Sequence, residues 1–174
     1  LIGIGDGLPG GQVRGLAYDP RGTLYVGTEQ GVAAYDGYDF ALVSPTDRPD
    51  TFVTSLYVHN GEVWAQLDSG LAHVVDNRLE VVLDWTLSRV NSGFATHNDT
   101  LYAINDVGIF EVHPSAPRQV FSRRDAVLRA GIGTHTGLWV GGKDGLYQFE
   151  NGSLQQVDKR PVRSFLASGD AIIV

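Results

Sequence analysis

The sequence predicts an all-β protein assembled from four-stranded antiparallel units, and three observations carry that expectation. The first is the stretch Val13 to Phe40, which holds the short β-rich runs Val13–Tyr18, Thr23–Val26 and Val32–Tyr35. Asp19-Pro20-Arg21-Gly22 and Glu29-Gln30-Gly31 part them as turns, and a fourth run, Phe40–Val43, follows Asp36-Gly37. The second is self-similarity: Val13, Val53, Val90, Val127 and Val162 each open a run, at steps of 40, 37, 37 and 35 residues. The third is one unvarying offset. Tyr25, Trp64, Tyr102 and Trp139 close the second run of each copy, and six residues later come Gly31, Gly70, Gly108 and Gly145.

Each recurring position has a physical reason. The glycine ends the connection between second and third strands, where a positive φ is expected and glycine meets it cheaply. The aromatic fills space between neighbouring sheets with little loss of entropy. The opening valine begins the innermost strand, where small β-branched side chains pack well. Leu24, Val63, Leu101 and Leu138 precede the aromatics, and Tyr35, Val74, Val112 and Phe149 lie four residues past the glycines. Four-stranded units of this period point to a β-propeller, with a β-solenoid as the structural alternative. The expected blades are 13–44, 53–83, 90–121 and 127–157 of a single propeller over 1–174. Residues 1–4 read as an outer strand and 162–174 as an incomplete blade, giving an open arc or incomplete ring.

A family resemblance follows from the residues of the first copy. Asp6-Gly7-Leu8-Pro9, Val13-Arg14, Asp19-Pro20-Arg21-Gly22-Thr23-Leu24-Tyr25-Val26-Gly27-Thr28 and Gly31-Val32 resemble the two-component regulator propeller repeat. Gly137-Leu138-Trp139-Val140-Gly141 and Asp144-Gly145-Leu146 repeat the pattern in the fourth copy. The second and third copies keep the aromatic and the glycine but carry Gln66-Leu67 and Ile104-Asn105 where the pattern has Gly-Thr. The resemblance implies a propeller in the input domain of a bacterial sensor. It further implies a periplasmic or extracellular location and a ligand that is often an oligosaccharide.

Composition narrows the classes. A net charge of −7 and a pI near 5.0, with no basic run longer than Arg123-Arg124, speak against a nucleic-acid partner. With no cysteine there is neither a disulfide nor a thiolate metal site, and the redox compartment stays open. No run of about 18 apolar residues is present to span a membrane, and no signal peptide is recognisable. The 22 glycines suit a chain of many tight turns. Without methionine, starting in mid-pattern and stopping inside a fifth copy, the chain reads as an excerpt. Its exposed strand edges then call for further blades, a self-partner or an output domain.

Propeller geometry gathers the second-to-third-strand turns and the connections between blades on one face. There the short turns place Glu29, Asp68, Asp106 and Lys143, of which the three acids could ring a cation or simply suit turns and solvent. The longer connections Pro45–Thr51, Asp84–Arg89 and Ser122–Ala126 carry Arg48, Asp50, Trp85, Arg89, Arg123 and Arg124. A tryptophan beside arginines can stack on a sugar ring and bind its hydroxyls or a carboxylate, so these six form the candidate ligand site. The plainer reading has Trp85 covering a blade edge and the arginines solvated.

His59, His97 and His135 fall near first-to-second-strand turns of successive blades, too far apart to share a metal. His73 and His113 fall in or after third strands and are expected to face solvent. Neither a nucleophile motif nor a phosphate loop is present, and the residues call for no cofactor. The favoured function is therefore a non-catalytic ligand-binding or sensing propeller. A propeller lyase or hydrolase with channel-facing catalytic loops, and a protein-interaction scaffold, are the alternatives.

Overall fold

The computed structural model describes residues 5, 7–43, 51–85, 93–122, 127–168 and 171–174. Among these the regular elements are all β-strands, in two compact units, Leu1–Leu87 and Ser88–Val174. The first unit holds a sheet of β1 (Val13–Tyr18), β2 (Leu24–Thr28), β3 (Gly31–Tyr35) and β4 (Phe40–Leu42). Its second sheet is β5 (Val53–His59), β6 (Glu62–Leu67), β7 (Gly70–Val75) and β8 (Arg78–Asp84). The second unit holds β9 (Gly93–His97), β10 (Thr100–Ile104), β11 (Gly108–Val112) and β12 (Arg118–Ser122). It continues with β13 (Leu128–Thr134), β14 (Gly137–Gly142), β15 (Gly145–Glu150) and β16 (Ser153–Asp158), and ends in the hairpin β17 (Leu166–Ser168) and β18 (Ala171–Ile173). Strands pair with their sequence neighbours, all antiparallel, so each large sheet is a simple meander. Residues 1–4, expected as an outer strand, lie outside the described set.

Turn chemistry explains the meanders. Asn60-Gly61, Asp76-Asn77, Asn98-Asp99 and Asn151-Gly152 all take positive φ, between 47° and 81°, as two-residue hairpin turns require. The β1–β2 turn is longer, and Asp19 builds it. Its Oδ1 accepts the N–H groups of Arg21 (3.0 Å) and Thr23 (2.9 Å), while Oδ2 accepts from Arg21 Nε at 3.1 Å. Gly22 at φ 90° completes the loop and donates its N–H to the Asp19 carbonyl. Burial works against ionising Asp19, but these donors outweigh it and hold the carboxyl below its ordinary value of 3.8. Replacing Asp19 by alanine strands two turn N–H groups and is expected to lower stability by about 1–2 kcal/mol. The pKa is depressed in the folded state. The carboxylate therefore contributes fully above pH 3.8, and that contribution is lost as pH falls through the folded value. Urea midpoints of the two proteins should thus differ at neutral pH and converge in acid.

The repeated glycine has a second reason beyond the expected φ. Gly31, Gly108 and Gly145 do lie at φ 132°, 156° and 145°, but Gly70 is not in this region. What unites Gly70, Gly108 and Gly145 is the fourth strand. A Cβ there would meet the carbonyl oxygens of Leu83, Phe121 and Asp158 at 2.5, 2.1 and 2.0 Å.

Within each unit consecutive sheets pack face to face, with first strands side by side. In the first unit Tyr25, Val53, Leu56, Val63 and Ala65 share one buried cluster. Gly27, two past the aromatic, makes room for the next sheet: a Cβ there would lie 2.6 Å from Val53 Cγ1 and 3.1 Å from Leu56 Cγ. Gly141 does the same for Val162, at 2.4 Å. In the second unit Ile104, Leu128, Leu138 and Val140 form the core, and Tyr102 meets Phe149 edge-on at 6.2 Å. His97 Nδ1 donates to the Thr134 carbonyl at 2.8 Å and ties the third sheet to the fourth.

His73 corrects an expectation. It is buried rather than solvent-facing, and stacks on its cross-strand neighbour Trp64 with centroids 4.9 Å apart. The pleat decides this, because Trp64 and His73 project to the same covered side.

Candidate functional site

Of the six residues proposed from sequence as a ligand site, the described structure includes Trp85 alone. It follows β8, is half-buried, and donates its backbone N–H to the Ser69 carbonyl in the β6–β7 turn at 3.0 Å. Arg48, Asp50, Arg89, Arg123 and Arg124 lie outside the described residues.

The turn acids have assignable local roles where they are described. Glu29 accepts the N–H groups of Gly11 (3.0 Å) and Gln12 (2.8 Å), fastening the segment before β1 onto the β2–β3 turn. Desolvation opposes its ionisation, but these N–H donors, its own and the Arg14 charge prevail and hold its pKa below 4.5. Asp68 and Lys143 each donate a backbone N–H to the carbonyl just before the first strand of their own sheet, those of Phe52 and Val127. Among the described residues no group of three or more His, Asp or Glu is placed to hold a metal ion.

The opposite end of the first unit holds a cleft of about 520 Å³ between its two sheets. The wall from the first sheet is Tyr25 on β2, Ala34 on β3 and Ala41 on β4, one continuous cross-strand row. Val63 on β6 and Val74 on β7 form the facing wall. Four turns make the rim: Arg21 and Thr23, then Asp36, then Gly61 and Glu62, then Asp76 and Asn77.

The alanines account for the space. Positions equivalent to Ala34 and Ala41 hold His73 and Glu80 in the second sheet and Glu111 and Arg118 in the third. In the fourth they hold Gln148 and Gln155. In the third sheet this place is filled by an ion pair between Glu111 and Arg118. Among the four described four-stranded sheets, only the first has two small apolar residues there. The signal was present in the sequence as Ala34 and Ala41, but their significance needs the strand register.

The rim is acidic. Arg21 is turned to Asp19, whose carboxylate raises its pKa further with help from Tyr25. Asp36 Oδ1 accepts the N–H groups of Asp39 (3.1 Å) and Tyr38 (2.9 Å), which keep its pKa below 3.8. Glu62 and Asp76 stand exposed at the rim.

Residues 7–30 match the family model described as "Two component regulator propeller". This stretch contains the residues whose roles are set out above: Asp19 and Gly22 in the turn, Tyr25 in the wall and Gly27 under the next sheet. Thr28 lies there too, and its hydroxyl accepts from Gln30 N and donates to the Gly31 carbonyl, both at 3.1 Å. Residues 7–30 thus match the two-component regulator propeller repeat.

No curated protein sequence matches the chain. Solved structures do. The extracellular domain of BT4673 from B. thetaiotaomicron, described as a hybrid two component system, superposes over 94% of this chain with a TM-score of 0.75 and 16% identity. This chain covers 26% of that one, and so spans about a quarter of its length. Virginiamycin B lyase from Staphylococcus aureus matches 91% of the chain and 60% of its own, with TM-score 0.68 and 12% identity. The gluconolactonase XC5397 from Xanthomonas campestris matches 87% and 64%, with TM-score 0.60 and 15% identity. At these identities the likeness establishes the fold: four-stranded antiparallel blades of a β-propeller. The same blade architecture serves a regulator's extracellular domain and two enzymes, so function has to be argued from residues.

Proposed function

We propose that this chain is a non-catalytic sensing propeller in the extracytoplasmic input domain of a two-component-type regulator. The observation carrying this reading is the regulator repeat at residues 7–30 together with the 94% superposition on an extracellular domain of a two-component system. In such a domain ligand binding shifts the balance between conformations, and the shift passes to an output module. An oligosaccharide is the ligand class the family resemblance favours, with Trp85 supplying an aromatic surface on the blade-connection face.

A thermal-shift screen of the full-length protein against plant, host and microbial oligosaccharides tests the reading. Binding at about a hundredfold over Kd stabilises by about 2.7 kcal/mol, which moves a midpoint by several degrees. One sugar class is expected to do this, with a fluorescence change that Trp85→Phe removes. The reading fails if no oligosaccharide shifts the midpoint, or if the protein turns over a gluconolactone or virginiamycin B. The latter result would establish the enzyme alternative instead.

A further inference from the structure

The cleft between the first and second sheets is a second binding site, and we propose that it takes a small organic cation, an amine or guanidinium carried on an apolar body. The proposal is independent of the sensing reading, since the cleft lies at the opposite end of the sheets from the blade-connection face. Three features carry it. The cavity, about 520 Å³, is within the range of small-molecule sites. Its walls are apolar, formed by Tyr25, Ala34, Ala41, Val63 and Val74. Its rim sets the carboxylates of Asp36, Glu62 and Asp76 against one guanidinium, Arg21, already held by Asp19.

Charge and shape together select the ligand. A neutral apolar molecule would gain from the walls but nothing from the rim. An anion would face three carboxylates, at a cost in like-charge repulsion. A cation with an apolar body satisfies both, laying its hydrocarbon between the sheets and its charge at the turns. Fixed N–H donors at Asp36 Oδ1 keep that carboxylate ionised and oriented without a cationic partner. The alanine pair makes the cleft a property of this repeat rather than of the blade design, because the other three repeats put large polar pairs in the same register.

The test uses benzylamine, with benzyl alcohol as its neutral counterpart and benzoate as its anionic one, titrated into the full-length protein by calorimetry or NMR. Benzylamine is expected to bind saturably in the millimolar range or tighter, about fivefold better than benzyl alcohol, as up to about 1 kcal/mol of exposed charge attraction allows. Benzoate is expected not to bind. Raising ionic strength should weaken the amine and leave the alcohol unchanged. Ala34→Gln with Ala41→Gln, the residues at these places in the fourth repeat, should fill the cleft and abolish binding. Glu62→Gln with Asp76→Asn changes only exposed rim groups, so this variant decides the matter if the first fails to fold. It should reduce benzylamine binding to that of benzyl alcohol. The proposal is overturned if benzylamine does not saturate by about 10 mM, if the alcohol binds equally well, or if either folded variant binds like the parent.

Discussion

Replacing Gly133 by alanine is expected to cost about 3 kcal/mol or more, a large part of the 5–15 kcal/mol that stabilises a typical domain. A Cβ on Gly133 would lie 1.7 Å from the Thr96 oxygen, 2.5 Å from its carbonyl carbon and 3.0 Å from His97 Cα. All three are backbone atoms of β9, so no side chain can rotate away. The only relief is to move β13 off β9. That separation also lengthens the 2.8 Å bond from His97 Nδ1 to the Thr134 carbonyl. Urea unfolding followed by tryptophan fluorescence provides the measurement. A midpoint unchanged by Gly133→Ala would refute the close approach of the two strands.

The second large effect concerns an exchange of sizes between sheets. In the first unit Gly27 is small and Leu56 of the next sheet fills the space above it. In the second unit the roles reverse: Ile104 takes the glycine's place, and Gly131 takes that of Leu56. A Cβ on Gly131 would meet Ile104 Cδ1 at 2.1 Å. Gly131→Leu alone is expected to cost about 3 kcal/mol through overpacking, and Ile104→Gly about 4 kcal/mol through a cavity and a looser backbone. The double substitution recreates the Gly27–Leu56 arrangement, so its cost should fall at least about 2 kcal/mol below the sum. Strict additivity in a double-mutant cycle would show that the two positions do not share one space.

This pair bears on how much of the fold could be read in advance. The blade architecture was legible because it rests on local periodicity: alternating apolar runs, turn residues, and an aromatic and a glycine six apart. The departures were harder to interpret. Ile104-Asn105 replaces Gly-Thr in the third repeat, yet Asn105 Oδ1 accepts the N–H groups of Val107 (2.9 Å) and Gly108 (3.1 Å), capping the turn that Thr28 caps in the first. The same chemistry is delivered by a different residue, so a motif comparison registers a loss where the turn keeps its cap. His73 misled because a polar residue on a third strand looks solvent-facing until its partner Trp64 is known to be buried.

The site divides along the same line. Trp85 and the arginines were chosen because their chemistry is visible one residue at a time. The cleft was invisible in that sense, because it is made by the smallness of the side chains at Ala34 and Ala41.

Sequence alone therefore determined the repeat, the strand order, the place of the turn at Asp19-Pro20-Arg21-Gly22 and the family likeness of the first repeat. All of these are relations between residues close in the chain or at a constant period. The tertiary structure decided which strand carbonyl bars a Cβ, which glycine receives which side chain, and where two sheets leave room for a ligand. Those are distances between atoms on different strands and sheets. Register and packing set such distances, and neither is a property of any single repeat.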